Sequence, residues 1–162
     1  MKNKSTLFLV QAAAIAAVYV VLTMVFAPFS YGEIQVRISE ALTILPVFTP
    51  AAVPGLFIGC LTANFLGGAV VLDVAFGSIA TLIGAVFTCR LGKVNKWLAP
   101  LPPIAANTLI VPFVLYYGYG VNLPIPFMML TVGIGEVISC GVLGLVIYGA
   151  LSRYGKRIFV QA

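Results

Sequence analysis

The chain contains no histidine and only four acidic residues among its 162. Charged residues make up 8% of it, too few to cover the surface of a soluble domain of this length. Without histidine, the side chain most often used for proton transfer near neutral pH is missing. No GxSxG, HExxH or Cys/His arrangement stands in its place. A GxxxxGK(S/T) loop is also lacking, which excludes ATP hydrolysis by that route. The three cysteines, Cys60, Cys89 and Cys140, form no CxxC, so zinc-ligand spacing is absent, and they read as small membrane-helix residues. An enzyme built from this chain would rely on carboxylates alone, so non-enzymatic function is expected, with neither cofactor nor metal. No low-complexity linker or internal repeat is evident, which weighs against a compact inverted-repeat transporter.

What is abundant is hydrocarbon. Hydrophobic residues reach 62%, and the mean hydropathy is +1.14. The composition implies an all-α integral membrane protein, with residues 1–162 forming one domain. The apolar run after Lys2 and Lys4 is too long for a signal-peptide core and has no clear cleavage site. A net charge of +5 need not mean nucleic acid, because membrane proteins collect Lys and Arg at cytoplasmic helix ends; no nucleic-acid partner is expected.

Spans of about 20 apolar residues cross a bilayer. Thr6–Ala27, Val71–Cys89, Trp97–Tyr117 and Ile125–Leu151 qualify, the last long enough to tilt or project. Ile38–Leu66 is interrupted by Pro46, Pro50 and Pro54, and proline breaks or kinks a helix interior. Charge placement decides how this stretch runs. Eight of nine basic residues fall in three clusters: Lys2 and Lys4; Arg90, Lys93 and Lys96; Arg153, Lys156 and Arg157. Placing all three clusters in the cytoplasm requires Ile38–Leu66 to cross twice or re-enter, with a turn near Thr49–Pro50. The expectation is a six-transmembrane-helix bundle with both termini cytoplasmic and a long first outer loop, Pro28–Arg37. The short Ile38–Phe48 segment must then tilt, or be completed by part of that loop.

Ionisable groups beside hydrocarbon are costly and tend to serve a ligand, an ion path or each other. Glu33, Arg37 and Glu40 lie in the run Tyr31–Pro46, YGEIQVRISEALTILP, at the outer mouth. Their spacing lets all three meet on one helical face as a local ion-pair cluster, an alternative to direct ligand contact. Asp73 opens the fourth segment near the outer face. Glu136 lies about 18 Å into the last span at 1.5 Å per residue, near the midplane, with no basic residue at its depth. Asn64 and Asn107 add uncharged polar groups, whose role is either a pocket or interhelical hydrogen bonding. Asp73, Gly77, Thr81, Gly84 and Thr88 form a small or polar stripe that reads as packing apart from Asp73. The first helix spaces Ala12 from Ala16, and Ala13 from Ala17, by four residues, and Gly55 with Gly59 makes a GxxxG; both patterns permit close helix approach.

The six short helices, the alanine pattern, the internal termini and the missing ATPase motif resemble the substrate-binding S component of an energy-coupling-factor (ECF) transporter. More narrowly, YGEIQVRISEALTILP resembles the signature of the QueT family, proposed queuosine-precursor transporters. The resemblance covers essentially the whole chain. It implies binding of a micronutrient on the outer side, and docking through Ala12, Ala13, Ala16 and Ala17 onto a membrane T subunit driven by two ATPase subunits. It also implies a 7-deazaguanine ligand, such as 7-aminomethyl-7-deazaguanine or queuine. The residues suit such a ligand: a carboxylate accepts two hydrogen bonds from a guanine edge, a second pairs with an ammonium, and an amide serves a ring heteroatom. Glu33, Glu40, Asp73 and Glu136 are the candidate acids, with Arg37, Asn64 and Asn107 beside them. Tyr116, Tyr117, Tyr119 and Phe127 could stack on the base or anchor the interface. The competing reading is a self-contained proton-coupled carrier using Glu136 or Asp73; a third is an assembly subunit of a membrane complex.

Overall fold

Prolines and glycines cut the apolar sequence into segments where a regular α-helix cannot continue. The computed structural model describes residues 4–27 and 36–159, and these are helical apart from their connections. We number six helical segments. They are α1 (Lys4–Val25), α2 (Ile38–Val47), α3 (Ala52–Leu66), α4 (Asp73–Val94), α5 (Leu101–Gly118) and α6, which runs as Ile125–Glu136, Val137–Leu143 and Gly144–Ile158. Lys4–Val25, Asp73–Val94, Lys96–Gly118 and Ile125–Arg153 are long and apolar enough to cross a bilayer. They coincide with the four spans expected from hydropathy to within a few residues at most ends.

The ambiguous stretch is two short helices, α2 and α3, joined by a turn at Thr49–Pro50. The Thr49 hydroxyl fixes this turn by donating to Gln11 Oε1 at 2.9 Å, and it accepts from the Ala51 N–H at 3.3 Å. α2 is not α-helical. Its 10 residues adopt 3₁₀ geometry, well beyond the three or four residues usual for that form. Pro46 lies inside it, has no N–H to give, and crowds the carbonyl four residues back. At about 2.0 Å per residue, 10 residues of 3₁₀ helix reach about 20 Å, against about 15 Å for an α-helix. Part of the length expected from tilt is therefore supplied by a tighter winding.

Segment α2 is the axis of the bundle. Every residue from Ser39 to Pro46 is buried, among α1, α3, α4 and α6. The closest helix pairing is α1 on α3, and the two glycines of the GxxxG permit it. A Cβ at Gly55 would come within 2.7 Å of the Ala12 carbonyl oxygen; one at Gly59 would meet Tyr19 Cβ at 2.8 Å and Ala16 Cα at 3.1 Å. Outward positions are apolar, as at Leu9, Phe65, Val71 and Val146, while Thr23, Ser39, Thr43, Asn64 and Thr81 are buried. This distribution suits a chain solvated by hydrocarbon.

Candidate functional site

Each of the three acids in the described residues sits where helix winding departs from α. Glu40 is in the 3₁₀ segment α2. Asp73 begins a wide π turn, Asp73–Gly77, and Glu136 immediately precedes another, Val137–Leu143. Such turns displace side chains from the regular ladder and cluster at functional sites. Glycine completes the first one: a Cβ at Gly77 would lie 2.6 Å from Asp73 Oδ1.

The acids form two layers. In the layer at the connecting loops, Arg37 just ahead of α2 donates from Nη2 to Asp73 Oδ2 at 3.2 Å, and Tyr119, just past α5, donates its hydroxyl to the same oxygen at 2.9 Å. The Arg37 and Asp73 side chains are 6% and 1% exposed, so this is a buried ion pair tying three parts of the chain together. Tyr119 lies outside the spans; burial, then the neighbouring Asp73 carboxylate, pushes its phenol up to about 12, so it remains a donor throughout the physiological range. Asp73 Oδ1 is buried with no protein donor. Asn64 Nδ2 reaches the Asp73 carbonyl at 3.3 Å and Cys60 Sγ at 3.6 Å, linking this layer to the next.

The deeper layer centres on Glu40. Its Oε1 accepts a very short hydrogen bond from the Tyr19 hydroxyl and one from Thr81 at 3.3 Å. The other oxygen, Oε2, is buried and accepts no hydrogen bond from the described residues. Across from it, Glu136 Oε2 accepts from the Cys140 thiol at 3.1 Å, and the Thr43 hydroxyl points to Cys140 Sγ at 3.4 Å. Asn107 on α5 is buried close to both carboxylates. One oxygen each of Glu40 and Glu136 and the Cys140 sulfur lie within 4.8 Å of one another. Two ionised carboxylates at that separation would repel by about 3–4 kcal/mol at an effective dielectric constant of about 20. Two oxygens and a sulfur are also a possible metal-ligand set, but here the thiol acts as a hydrogen-bond donor. A metal would need it as thiolate, so the arrangement fits a hydrogen-bonding cation better.

The predicted residues thus largely converge. Arg37, Glu40, Asn64, Asp73, Asn107 and Glu136 are all buried in or between these layers, whereas Glu33 lies outside the described residues. Arg37 is ion-paired with Asp73, and the Glu33 side of the expected local cluster lies outside the described residues. The Arg37 backbone is extended (φ −88°, ψ 103°), which carries its guanidinium to Asp73. Of the outer aromatic residues only Tyr119 reaches the acids; Tyr116, Tyr117 and Phe127 are exposed, with the two adjacent tyrosines packed edge-on at 5.0 Å. Tyr19 and Thr81 were hidden in patterns that read as packing. Cys60 and Cys140, read as bland small residues, are members of the polar network, because the turns around them face inward. Of the four alanines, Ala12 is buried on Gly55 and Ala16 rests on Gly59, while Ala13 and Ala17 are exposed. One surface groove of about 420 Å³ is lined by apolar groups including Leu72, Phe76 and Phe113, away from the acids.

Long apolar helices around a buried acidic network define a polytopic membrane protein of the transporter type. The comparisons with known proteins give the class its family. The QueT transporter model matches residues 9–153, and the chain belongs to that family. A curated relative, the queuosine precursor transporter QueT of Lactococcus lactis subsp. cremoris (strain MG1363), is 40% identical over 85 residues, covering 51% of this chain and 50% of that protein. The match therefore spans about half the length of the curated relative. No solved structure matches the chain.

Proposed function

We propose that this chain is the substrate-binding S component of an ECF-type importer and takes up a queuosine precursor, 7-aminomethyl-7-deazaguanine or queuine, across a prokaryotic plasma membrane. One observation carries the reading. Among the described residues, the buried interior holds three acids, Glu40, Asp73 and Glu136, and one base, Arg37, which is bridged to Asp73. The deeper layer is left with two carboxylates and an unpartnered oxygen, so it calls for a ligand rich in donors or positive charge. A 7-deazaguanine offers an N1–H and amino edge and, in the aminomethyl form, an ammonium. Family membership and the name of the Lactococcus relative point to the same compound class.

In this reading the chain crosses the membrane six times with both termini inside, and the Arg37–Asp73–Tyr119 layer faces outward. Energy comes from a T subunit and two ATPase subunits, consistent with a sequence that carries no phosphate loop of its own. Ala13 and Ala17 are the exposed part of the alanine pattern, and they form the docking surface, with Ala12 and Ala16 behind them setting its flatness.

The purified chain in detergent should bind a deazaguanine saturably without ATP by calorimetry. Absence of heat with deazaguanines alongside tight binding of an unrelated vitamin would remove the substrate and spare the class. The hydrogen-bonded Cys140–Glu136 and Glu40 group also supports a second reading, a self-contained proton-coupled carrier. That reading requires the chain alone in liposomes to accumulate substrate under a pH gradient; the S-component reading requires that it does not.

A further inference from the structure

We infer that the Glu40–Glu136 pair is a single-cation site, filled by one shared proton in the free protein and by the ligand's ammonium group in the complex, so that a cationic ligand enters in exchange for a proton. This rests on the transport reading above and adds to it a charge rule for the site.

The argument is geometric. The two carboxylates approach within 4.8 Å from different helices, α2 and α6, in a buried setting where like charges at this distance disfavour joint ionisation. The groups facing the pair do not cancel its charge. From α1 comes the Tyr19 phenol; from α3, the Cys60 thiol; from α4, the Thr81 hydroxyl; from α5, the Asn107 amide; from α6 itself, the Cys140 thiol. All of these are neutral donors or polar groups. Arg37, just ahead of α2, is the cation nearest them among the described residues, and Asp73 at the start of α4 already takes its charge. One positive charge is therefore accommodated between the carboxylates, and a second is not. Glu40 Oε1 is already occupied by Tyr19 and Thr81, which leaves Oε2 as the acceptor turned to the incoming group. When an ammonium arrives, its charge replaces that of the proton, which leaves to bulk buffer. The exchange makes and breaks no covalent bond except that O–H.

The test compares two probes of nearly equal shape by titration calorimetry of the intact chain in detergent at pH 6.5. These are 7-aminomethyl-7-deazaguanine, which carries the ammonium, and 7-cyano-7-deazaguanine, which is neutral. Each titration is run in buffers of low and high ionisation heat, and the slope gives protons released per ligand bound. The cationic compound should release about one proton and the nitrile about none. In Glu136→Gln, whose amide keeps the shape of the carboxylate but cannot share the proton, release with the cationic compound should fall toward zero. Buffer-independent heats with the cationic compound on the unaltered chain would overturn the exchange while leaving the transport reading intact. Failure of both compounds to bind would overturn the transport reading itself, and the exchange with it.

Discussion

The two acidic layers both bury carboxylates beside a tyrosine hydroxyl, and they solve opposite problems. Around Asp73, an arginine and a tyrosine converge on one carboxylate oxygen, and charge is balanced within the protein. Around Glu40 and Glu136 the close donors among the described residues are neutral, and no cation is paired to either carboxylate there. A balanced buried pair holds structure together; an unbalanced one stores binding capacity at a cost in stability. The contrast predicts that equivalent carboxylate-to-amide changes act on different properties in the two layers.

The largest effect should be Asp73→Asn. It leaves Arg37 charged and buried beside a neutral amide, and breaking a buried pair in this way costs about 3–5 kcal/mol. Denaturant or thermal unfolding in detergent should show the loss directly. Glu136→Gln, at similar burial, should leave unfolding nearly unchanged, since it strands no buried counter-charge. If the two variants unfold alike, the division into a structural and a binding layer is wrong.

Next comes Glu40→Gln. The amide keeps the contacts to Tyr19 and Thr81 but gives up the acceptor charge at Oε2. Charge-assisted hydrogen bonds contribute about 1.5–3 kcal/mol, so deazaguanine affinity should fall about 10- to 150-fold while the melting temperature holds. Calorimetry and a melting curve on the same preparation check both halves. Unchanged affinity would move the ligand away from the deeper layer.

How much of this was legible in the residues alone follows from the same contrast. The four long spans were readable because hydrocarbon-facing segments need about 20 apolar residues. The paired short helices followed from three prolines and the placement of lysine and arginine. The acids announced themselves because charge is rare here. Their partners did not. For Arg37, helical spacing points to sequence neighbours, whereas the extended backbone at that point brings its guanidinium to Asp73, a partner distant in sequence. Tyr19, Thr81 and Cys140 look like ordinary packing residues in an apolar helix; Tyr19 and Thr81 lie on regular α-helix, and only Cys140 sits in a π turn, while the carboxylate they surround, Glu40, is on the 3₁₀ segment. Helix periodicity cannot reveal a site made by departures from it.

Tyr119 offers a finer test of the balanced layer. Tyr119→Phe removes one of two donors to Asp73 Oδ2 and should cost about 0.5–1.5 kcal/mol. The phenol titrates near 12 rather than at the ordinary 10. Because its value is raised in the folded state, the stability it contributes is complete below pH 10 and declines as pH climbs from about 10 to about 12. The advantage of the unaltered chain over Tyr119→Phe should therefore shrink across that window. Absorbance at 295 nm, taken as the difference between the two proteins, should place one phenol's ionisation near 12. A titration at 10 would separate Tyr119 from Asp73.

The smallest effect on the isolated chain should come from the exposed side of α1, and it discriminates because little else changes. Ala13 and Ala17 face outward, whereas Ala16 lies against Gly59, where α1 and α3 nearly touch. Tryptophan at Ala16 would force the helices apart, at a cost of about 1–3 kcal/mol. Tryptophan at Ala13 or Ala17 projects into hydrocarbon and should shift stability by no more than about 0.5 kcal/mol, with ligand affinity unaltered. If these alanines dock onto a T subunit, Ala17→Trp should nevertheless abolish uptake in cells carrying the full importer. Loss of uptake with intact binding separates docking from folding, a distinction that Ala16→Trp cannot make because it perturbs both. Normal uptake in both Ala13→Trp and Ala17→Trp would instead leave the alanine pattern with one role, letting α1 lie flat against the two glycines of α3.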